Sequence, residues 1–599
     1  MQNGPVGPFL YDSLKRLEYR GYDSVGEATV VDGKILLRKD RGKIREVEKE
    51  LRISELGGRV GIGHTRWATH GAPSKENAHP HTDCNGNVAV VHNGIIENFM
   101  ELKQELEAHG HHFKSRTDTE IVAHLVEENL KSGLGVVEAI RIAAKRLTGA
   151  YALAFVCASE PDKVVCVRRE SPLIVGVGSD GNYCASDIPA FLSRTKQALI
   201  LEDDEMAVLT ADKVRVLNVQ TGEEVSRNPF TVEWTVDTAL KTGYPHFMLK
   251  EIYEQPLTVR NALRTHPIYL DLMASAINRA KRVFLIACGT SYHACLAATY
   301  AFANLAKVEV TPVVASEFID GYAALVDEGT VVLTVSQSGE TADTLTAVRG
   351  AKDRGATILG LTNVMGSTLT RLSDLYIGQN SGPEMGVAAT KTFTAQLSVL
   401  VRIAVALAQK RKTLSTADLE ALERGFERLP EWVSRALLSD KDGVKRIVDK
   451  YSNRISFCFL GRGISAATAL EGRLKLLELS YLPAIAYPAG ESKHGFISVV
   501  EDGYPVIFVA PKDEVYSKII GNVMEMKARQ AQVISIVEEA DGQVSSLSDE
   551  TVAMPGGIPS VLTPIVYIVP MRLFAYHMAV RKGYDPDFPR NLAKSVTVH

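Results

Sequence analysis

The stretch Val331-Val-Leu-Thr-Val-Ser-Gln-Ser-Gly-Glu-Thr341 decides the fold of the larger part of this chain. Its first half is a run without polar alternation, and strands of this kind are buried on both faces of a sheet. Its second half is a polar loop that contains Gly339 and leads into a helical pattern. A buried strand, a polar loop and a helix in this order predict a parallel sheet covered by helices, with the loop at the carboxyl end of its strand.

The same strand-loop-helix pattern recurs on both sides of this stretch. It appears at residues 282–288, 356–361, 455–460 and 505–510. Gly289-Thr290-Ser291 follows the first of these runs, whereas Pro511-Lys512-Asp513 follows the last, so the second copy lacks a hydroxyl-rich loop. We therefore predict two α/β domains of one plan, at 272–412 and 447–589, and a short tail at 590–599.

The first 220 residues carry a different pattern. Short strand-like runs at 60–63 and 88–91 alternate with amphipathic helical patterns at 97–109 and 119–131, which predicts an α+β domain at 1–220. Residues 221–271 are irregular and contain Pro229, Pro245 and Pro256, and we interpret them as a linker that packs on its neighbours.

Composition excludes several classes of function. The 599 residues are 45% hydrophobic and carry a net charge of -4, so no general attraction to nucleic acid or to an anionic membrane is expected. The seven cysteines show no metal-ligand spacing and an odd count, so we expect no metal site, no disulfide framework and a reducing, cytoplasmic location. The start of the chain is polar, unlike a signal peptide, and the longest apolar candidate, 558–571, is interrupted by prolines and too short to span a bilayer.

The loop at 336–341 offers several donors to an anion. The hydroxyls of Ser336, Ser338 and Thr341 and the amide of Gln337 can all donate, and the N-terminus of the following helix suits a phosphate group. A polar helix N-cap is the alternative, because Ser and Thr are favoured there in any case. The loop has no Gly-Lys-Ser/Thr sequence, which favours a stably held phosphoester over nucleotide cleavage.

Three charged residues share one face of a predicted helix. Glu471, Lys475 and Glu478 are spaced by four and three residues. Aldose–ketose isomerisation needs a group that moves a proton between C1 and C2 and a cation near the enediolate oxygen, and such a face supplies both. The alternative is a solvated stripe of salt bridges, which contributes little to stability.

Two further residues are candidates for sugar chemistry. His494 lies in a charged loop bounded by glycines and could open a sugar ring by acid–base transfer, although a lone loop histidine is more often just exposed. Lys594 lies in the C-terminal tail, where a lysine is ordinarily solvated. In a closed pocket, however, it could form a Schiff base with the C2 carbonyl of a ketose.

Together these motifs resemble those of the isomerising glutamine–fructose-6-phosphate aminotransferases, or glucosamine-6-phosphate synthases. The resemblance runs from Leu14 to His599. The motifs that carry it are Leu17-Glu-Tyr-Arg-Gly-Tyr-Asp-Ser24, His64-Thr-Arg-Trp-Ala-Thr-His-Gly71, His92-Asn-Gly94, Thr117-Asp-Thr-Glu120, Ser336-Gln-Ser-Gly-Glu-Thr341, Ala469-Leu-Glu-Gly472, Lys493-His-Gly495 and Leu592-Ala-Lys-Ser-Val-Thr-Val598.

The resemblance implies a class II glutaminase domain, an αββα sandwich of the N-terminal-nucleophile type, followed by two sugar isomerase (SIS) domains. It implies that ammonia from glutamine passes through an internal channel and that fructose 6-phosphate becomes glucosamine 6-phosphate, the first step of the hexosamine pathway. No metal or organic cofactor is implied, and the expected assembly is a homodimer in the cytoplasm.

The resemblance also implies roles in the isomerase half. Glu478 would move the proton between C1 and C2 with support from Glu471 and Lys475, His494 of a second subunit would open the ring, and Lys594 would form the Schiff base. Fructose 6-phosphate would contact Cys288, Gly289, Thr290, Ser291, Ser336, Gln337, Ser338, Thr341 and Val387. Ala389 replaces a serine that the family usually has, at the cost of one hydrogen bond.

In the glutaminase half, Arg66 and Asp118 would bind the carboxylate and amine of glutamine. The oxyanion hole would consist of Asn93 and Gly94. Thr69 and His70 would line the pocket, and Trp67 and Ala593 would belong to the ammonia channel.

The family pattern breaks at the N-terminus. The family opens Met-Cys-Gly-Ile and uses the exposed cysteine as nucleophile with its own α-amine as base, whereas this chain opens Met1-Gln2-Asn3-Gly4 and has its first cysteine at Cys84. Because the remainder of the glutamine pocket is present, we expect a start upstream of Met1. We then expect the first strand of the domain to be missing and one sheet edge to be exposed.

Three functions stay open at this point. The first is a glutamine-dependent synthase of glucosamine 6-phosphate, and the second is an SIS enzyme that uses free ammonia alone. The third is a catalytically silent sensor of sugar phosphates, against which the presence of Glu478, His494 and Lys594 argues.

Overall fold

A computed structural model describes residues 4–18, 23–66, 74–169, 171–232, 241, 243–364 and 366–596. It has two compact units. The first comprises Met1–Ala239 with Ser595–His599, and the second comprises Leu240–Lys594.

The first unit is built from antiparallel sheets. Seven strands form one sheet in the order β13-β12-β11-β7-β6-β5-β4, and two smaller sheets have the orders β2-β1-β3 and β14-β10-β8-β9. The strands are β1 Ser24–Val31, β2 Lys34–Arg41, β3 Val60–Arg66, β4 His81–Thr82, β5 Val88–Ile96, β6 Gly149–Cys157, β7 Glu160–Arg169, β8 Ile174–Val177, β9 Asn182–Ala185, β10 Gln197–Ile200, β11 Glu205–Leu209, β12 Val214–Asn218, β13 Glu224–Val225 and β14 Phe230–Thr231.

Helices cover both outer faces of these sheets. In the described part of this unit, the helices are α1 Gly7–Leu17, α2 Ile44–Leu51, α3 Phe99–Ala108, α4 Glu120–Lys131 and α5 Val136–Arg146. One apolar core joins α3, α4 and α5 to the seven-stranded sheet, a second lies between that sheet and the smaller sheets, and a third lies under α1 and α2. The layers are therefore αββα, as predicted. Among the described residues, β3 is an edge strand of the three-stranded sheet, and β9 is an edge strand of the four-stranded sheet.

The second unit contains two parallel five-stranded sheets, in the orders β16-β15-β17-β18-β19 and β21-β20-β22-β23-β24. Their central strands are buried along their whole length, which is why they read as unbroken apolar runs. The strands are β15 Arg282–Ala287, β16 Thr311–Val314, β17 Thr330–Ser336, β18 Thr357–Thr362, β19 Leu375–Gly378, β20 Phe457–Gly461, β21 Ala484–Pro488, β22 Pro505–Ala510, β23 Gln532–Glu538 and β24 Glu550–Met554. This arrangement confirms the two predicted α/β domains with parallel sheets.

The helices of this unit cover both sheets and pack in three apolar cores, of which one is large and two are smaller. They are α6 Phe247–Tyr253, α7 Gln255–Leu263, α8 Pro267–Arg279, α9 Gly289–Ala301, α10 Ala315–Gly321, α11 Ala342–Lys352, α12 Thr368–Leu372, α13 Lys391–Arg411, α14 Thr416–Leu437, α15 Lys445–Tyr451, α16 Ile464–Ser480, α17 Tyr516–Lys527, α18 Gln543–Leu547 and α19 Thr563–Arg581.

Two features of the sequence were misinterpreted because of proline. The stretch interpreted as an irregular linker contains α6, α7 and α8, and Pro256 and Pro267 stand in the first turns of α7 and α8. A proline in that position does not interrupt a helix, because its missing N–H would have no intrahelical partner there. Both helices pack on α13, so much of this stretch belongs to the core of the second unit.

The second misinterpretation concerns the apolar stretch at 558–571. Pro564 stands in the first turn of α19 and Pro570 lies inside it, yet the helix continues to Arg581. Among the described residues, two helices, Lys391–Arg411 and Ser560–Arg581, are long and apolar enough to cross a membrane. Their apolar windows are 83% and 94% buried within the fold, which is the position of core helices.

Candidate active site

The hydroxyl-rich loop lies at the carboxyl end of β17, directly before α11, as predicted. The Gly339 N–H donates to Ser336 Oγ at 3.0 Å, and the Glu340 N–H donates to Ser338 Oγ at 3.1 Å. Gly339 has a φ of +67°, and a Cβ there would lie 2.2 Å from Ser367 Oγ, so this position requires glycine. The result is a tight polar turn at a helix N-terminus, which suits a phosphate group.

The neighbouring loop holds this turn in place. The Thr368 N–H donates to Glu340 Oε1 at 2.7 Å, and the Leu369 N–H donates to Gly339 O at 3.0 Å. The Glu340 carboxylate thus accepts from the Thr368 N–H, and two successive backbone donors of the neighbouring loop hold the turn.

The segment after β15 contacts a charged helix face through Thr290. Thr290, on the first turn of α9, is buried, donates to Glu471 Oε1 at 3.2 Å and accepts from Lys475 Nζ at 2.9 Å. Cys288 Sγ lies 3.5 Å from Thr344 Oγ1, and burial raises the pKa of this thiol. Gly289 has a φ of +51° and open space at its Cβ position, and Ser291 is half-buried beside it. Thr290 therefore contacts the charged face of α16.

The charged face of α16 is buried, which excludes the solvated stripe. Glu471 and Lys475 have no exposed side-chain surface, and the side chain of Glu478 is 19% exposed. Lys475 Nζ lies 3.5 Å from Glu471 Oε1 and 2.6 Å from Glu478 Oε2. His293 Nδ1 of α9 lies 2.8 Å from Glu471 Oε2. We call Glu471, Lys475 and Glu478 the α16 cluster.

Electrostatics keeps the inner members of the α16 cluster charged. Burial alone would lower the pKa of Lys475, but the carboxylates of Glu471 and Glu478 raise it above its usual value. Burial would likewise raise the pKa of Glu471, yet Lys475 and His293 lower it. Lys475 therefore remains a fixed cation, while Glu478 is the member with access to solvent.

Lys594 is held inside the second unit. Its side chain is 4% exposed, and its ammonium group donates to Glu384 Oε2 and, at 2.9 Å, to Gly386 O. Burial alone would raise the pKa of Glu384, but Lys594 and the N–H groups of Thr390 and Thr392 lower it to about 2. Lys594 is therefore buried and paired with a carboxylate. The alternative, a lysine solvated in the tail, is excluded.

Sequence reasoning missed three buried charged residues: Glu384, Glu251 and Arg572. Glu251 accepts from the backbone N–H of Gly386 at 3.2 Å, and burial together with the charge of Glu384 raises its pKa to about 8. Arg572 is wholly enclosed in α19, where burial lowers its pKa to about 10, and its charge acts on both Glu471 and Glu384. The sequence could have indicated Arg572, because this residue is a charged side chain in a mainly apolar helical stretch.

Of the remaining predicted residues, His494 lies apart from these clusters, whereas Val387 follows Gly386, which contacts Lys594 and Glu251. His494 is exposed in the single turn Ser492–His494, and no hydrogen bond among the described residues joins it to the α16 cluster or to Lys594. Val387 is buried, and its N–H donates to Asp587 O at 3.2 Å. Ala593 is half-buried next to Lys594 in the chain.

In the first unit, Asn93 and Gly94 lie together on β5. His64 Nε2 on β3 lies 2.9 Å from Asn93 Oδ1, which fixes the amide plane and directs its NH₂ group away from His64. Gly94 has a φ of +129°, and a Cβ there would lie 1.9 Å from Ala150 O. His64, the first residue of the motif at 64–71, therefore orients the side chain of Asn93. Its function was not predicted from the sequence.

Arg66 and Asp118 are both buried in this unit. Asp118 Oδ2 accepts from the Ile96 N–H at 2.9 Å. Burial lowers the pKa of Arg66, although Asp118 and Asp23 act in the opposite direction, so these carboxylates lie close enough to stabilise the guanidinium. Trp67, Thr69 and His70 lie outside the described residues.

Family models match most of both units. A glutamine amidotransferase domain model matches residues 64–193, and an SIS domain model matches residues 276–406 and 451–582. Among solved structures, the C-terminal domain of glucosamine-fructose-6-phosphate aminotransferase from Francisella tularensis is 34% identical, with a TM-score of 0.54, and covers 58% of this chain and 99% of that chain.

Curated relatives match over nearly the whole length. The glutamine–fructose-6-phosphate aminotransferase (isomerizing) of Thermococcus kodakarensis is 48% identical over 589 residues, which are 98% of this chain and 97% of that protein. Its counterpart in Aquifex aeolicus is 45% identical over 592 residues, or 99% of this chain and 98% of that protein. This chain belongs to the family of isomerizing glutamine–fructose-6-phosphate aminotransferases.

Proposed function

We propose that this chain converts fructose 6-phosphate and glutamine into glucosamine 6-phosphate and glutamate. The observation that carries the proposal is the burial of the α16 cluster, whose central lysine is fully enclosed between two carboxylates. Burying charges costs several kcal/mol per ion, by a general order-of-magnitude estimate, and perturbed buried charges concentrate at functional sites. The names of the relatives supply the substrate pair.

The sugar phosphate would be anchored by its phosphate group. Ser336, Gln337, Ser338 and Thr341 would donate to the phosphate oxygens, together with the N-terminus of α11. Cys288, Gly289, Ser291 and Val387 would contact the sugar. Thr290 would act through the α16 cluster, since both of its observed side-chain hydrogen bonds are made there.

Lys594 would supply the covalent step. Its ammonium group must first lose a proton, and the neutral amine then adds to the C2 carbonyl and expels water to form a Schiff base. Ammonia would displace the lysine at C2, which releases Lys594 and leaves the sugar imine. Glu384, which binds Lys594 in the observed state, would hold the ammonium form between turnovers.

Glu478 would complete the isomerisation. Its carboxylate would remove a proton from C1 of the imine and return it to C2, while the C1 hydroxyl loses its proton and the imine nitrogen gains one, so that C1 becomes the aldehyde carbon of the 2-amino sugar. Lys475 would stabilise the negative charge that develops on the oxygen at C1. His494, lent by a second subunit, would open the ring beforehand, so we propose a homodimer. We also propose a cytoplasmic location, as expected from the cysteine content.

In the glutaminase half, Arg66 and Asp118 would bind the carboxylate and amine of glutamine, and Thr69 and His70 would line its pocket. Asn93 and the Gly94 N–H would stabilise the oxyanion. Trp67 and Ala593 would line the route of ammonia. A second candidate function is synthesis from free ammonia, for which the α16 cluster and Lys594 of the second unit would suffice.

Comparing nitrogen donors tests the proposal. The purified chain is given fructose 6-phosphate with either glutamine or an ammonium salt, and glucosamine 6-phosphate is quantified. Product from glutamine supports the first function, and product from ammonium alone supports the second. If neither donor yields product while fructose 6-phosphate still binds, the chain is a sensor and the proposal is wrong.

A further inference from the structure

We propose that Cys84, His111, His124 and Glu127 of the first unit form a zinc site, which we call the Cys84 tetrad. None of its four residues has a direct role in the proposed sugar or glutamine chemistry, and metal binding does not depend on that chemistry. The residues come from three separate segments: the turn between β4 and β5, the segment after α3, and α4 itself.

The ligand atoms converge at the spacing of a tetrahedral site. Cys84 Sγ lies 3.7 Å from His111 Nδ1 and 3.5 Å from His124 Nδ1. The two Nδ1 atoms are 3.2 Å apart, and Glu127 Oε2 lies 3.1 Å from the first and 3.3 Å from the second. Zinc bonds of about 2.3 Å to sulfur and about 2.0–2.2 Å to nitrogen or oxygen would place ligand atoms roughly 3.3–3.7 Å apart.

The surrounding carboxylates prepare the two imidazoles to bind a metal. Glu128 Oε2 lies 3.0 Å from His111 Nε2, so a neutral His111 carries its proton there and presents the Nδ1 lone pair to the centre of the tetrad. Glu120 Oε1 lies 3.8 Å from His124 Nε2, on the outer side of that ring. A carboxylate hydrogen-bonded behind a metal-bound histidine fixes its tautomer and orientation, as Glu128 does for His111, whereas Glu120 lies near His124 without a hydrogen bond.

Glu127 is positioned by donors on its outer side. The Cys84 N–H donates to its Oε2 at 3.1 Å, while Asn85 Nδ2 and Lys131 Nζ contact its Oε1 at 3.2 and 3.1 Å. His111, His124 and Glu127 are all buried, and Cys84 is half-buried. The tetrad is therefore a closed, preformed cluster and differs from the exposed acidic groups that are common on protein surfaces.

The chemistry of the four donors selects zinc. Thiolate and imidazole ligands favour Zn²⁺ over Mg²⁺ or Ca²⁺, which prefer oxygen donors. A thiolate and a carboxylate with two neutral imidazoles also balance the charge of a divalent ion. Because all four positions belong to the protein, the site is structural and leaves no open position for catalysis.

The tetrad fastens the segment that carries a glutamine-binding residue. Two of its ligands lie on α4, and Asp118 lies two residues before the start of that helix. Zinc would tie the start of α4 to the β4–β5 turn and to the segment after α3. It would therefore stabilise the backbone that positions Asp118.

Metal analysis of the full chain tests this inference. The chain is purified without a histidine tag, dialysed against metal-free buffer and analysed by mass spectrometry for zinc. We expect one zinc ion per chain and its loss in Cys84→Ser. Cys184→Ser is the matched control, since Cys184 is also a half-buried free thiol of the first unit and lies outside the tetrad, and it should retain zinc.

Cobalt provides a readout that does not depend on how well a variant folds. The wild-type chain, stripped of metal and given Co²⁺, should show the visible bands of a tetrahedral cobalt complex and a thiolate-to-cobalt charge-transfer band. Binding should release the thiol proton of Cys84. If the wild-type chain binds neither zinc nor cobalt, or if cobalt binds without a thiolate band, the proposal is wrong.

Hydrogen exchange locates the effect. Removal of zinc should increase amide exchange in α4 and in the β4–β5 turn, and leave exchange in α13 of the second unit unchanged. Equal exchange of α4 with and without zinc would contradict the proposed fastening role, even if the metal binds.

Discussion

At Gly339, the absence of a side chain allows the anion loop to pack closely against Ser367. A Cβ would lie 2.2 Å from Ser367 Oγ and 2.9 Å from Thr362 Oγ1, at a φ of +67°. Strain of about 1–3 kcal/mol is typical of such a position, and relief by a loop shift would move the donors of Ser336 and Ser338. We therefore expect Gly339→Ala to raise the KM for fructose 6-phosphate about tenfold or more, as steady-state kinetics would measure.

Gly557→Ala is the control for this change. Gly557 also has a positive φ, +72°, but open space surrounds its Cβ position, so the control carries the conformational strain without the clash. Similar KM values for the two variants would show that the tight turn at Gly339 does not shape the phosphate site.

A substitution at Lys594 separates the charge of this residue from its ability to form a Schiff base. In Lys594→Arg the guanidinium keeps the charge that pairs with Glu384, but it does not become a neutral amine and cannot form a Schiff base. Borohydride should trap fructose 6-phosphate covalently on the wild-type chain and on Lys512→Arg, an exposed lysine control, but not on Lys594→Arg. Mass spectrometry of the reduced protein measures the adduct, and an adduct on Lys594→Arg would refute the assignment.

Among the elements, α16 places Glu471, Lys475 and Glu478 on one largely buried face, as their spacing in the sequence predicts. Glu478 is its partly exposed member, at 2.6 Å from the buried Lys475. Replacement of Glu478 by glutamine removes the proton-transfer group while keeping the shape, so we expect kcat to fall by about 10²–10⁴ with little change in KM. Kinetics with ammonium as nitrogen donor separate this effect from the glutaminase half.

Glu501→Gln is the control for this change. It alters an exposed carboxylate and should leave both kcat and KM unchanged. If Glu478→Gln instead raises the KM and leaves kcat normal, Glu478 takes part in binding and not in proton transfer.

The elements also show where sequence reasoning reaches its limit. The loop at Ser336 was predictable because a buried strand, a polar turn and a helix follow one another within a few residues. The Cys84 tetrad was not, since its ligands are spaced by 27, 13 and 3 residues and only the fold brings them together. The α7 helix was missed because Pro256 was interpreted as a breaker, although it stands in the first turn.

At the scale of the molecule, the two units use buried charge in different ways. The second unit holds its buried cations and carboxylates as pairs, such as Lys475 with Glu471 and Lys594 with Glu384. The pairing itself was not predictable from the sequence, because Glu384 and Lys594 are 210 residues apart. The first unit also buries charged residues, such as Arg66 and Asp118, but it contains in addition a group of buried histidines, which predicts how that unit responds to acid.

Four histidines, His64, His79, His81 and His92, lie buried near one another around β3, β4 and β5. Burial lowers the pKa of His64 to about 4 and lowers those of His79 and His81 well below the usual value. Unfolding returns these rings to a pKa of about 6.5, so the unfolded chain binds more protons between these values. The stability that His64 contributes is therefore complete above about pH 6.5 and is lost as the pH falls through about 4, and the contributions of His79 and His81 fall with pH in the same direction.

We expect the free energy of unfolding of the first unit to fall by about 3 kcal/mol from His64 alone as the pH is lowered from about 7 to about 4. Pulse proteolysis in urea, with peptides of the first unit identified by mass spectrometry, measures this free energy at each pH. His64→Gln should flatten the dependence, because glutamine can still donate to Asn93 but does not titrate. His109→Gln, at an exposed position, should leave it unchanged. If His64→Gln and the wild-type chain lose stability equally between these pH values, His64 is not a neutral ring in the folded state, and its role in orienting Asn93 must be revised.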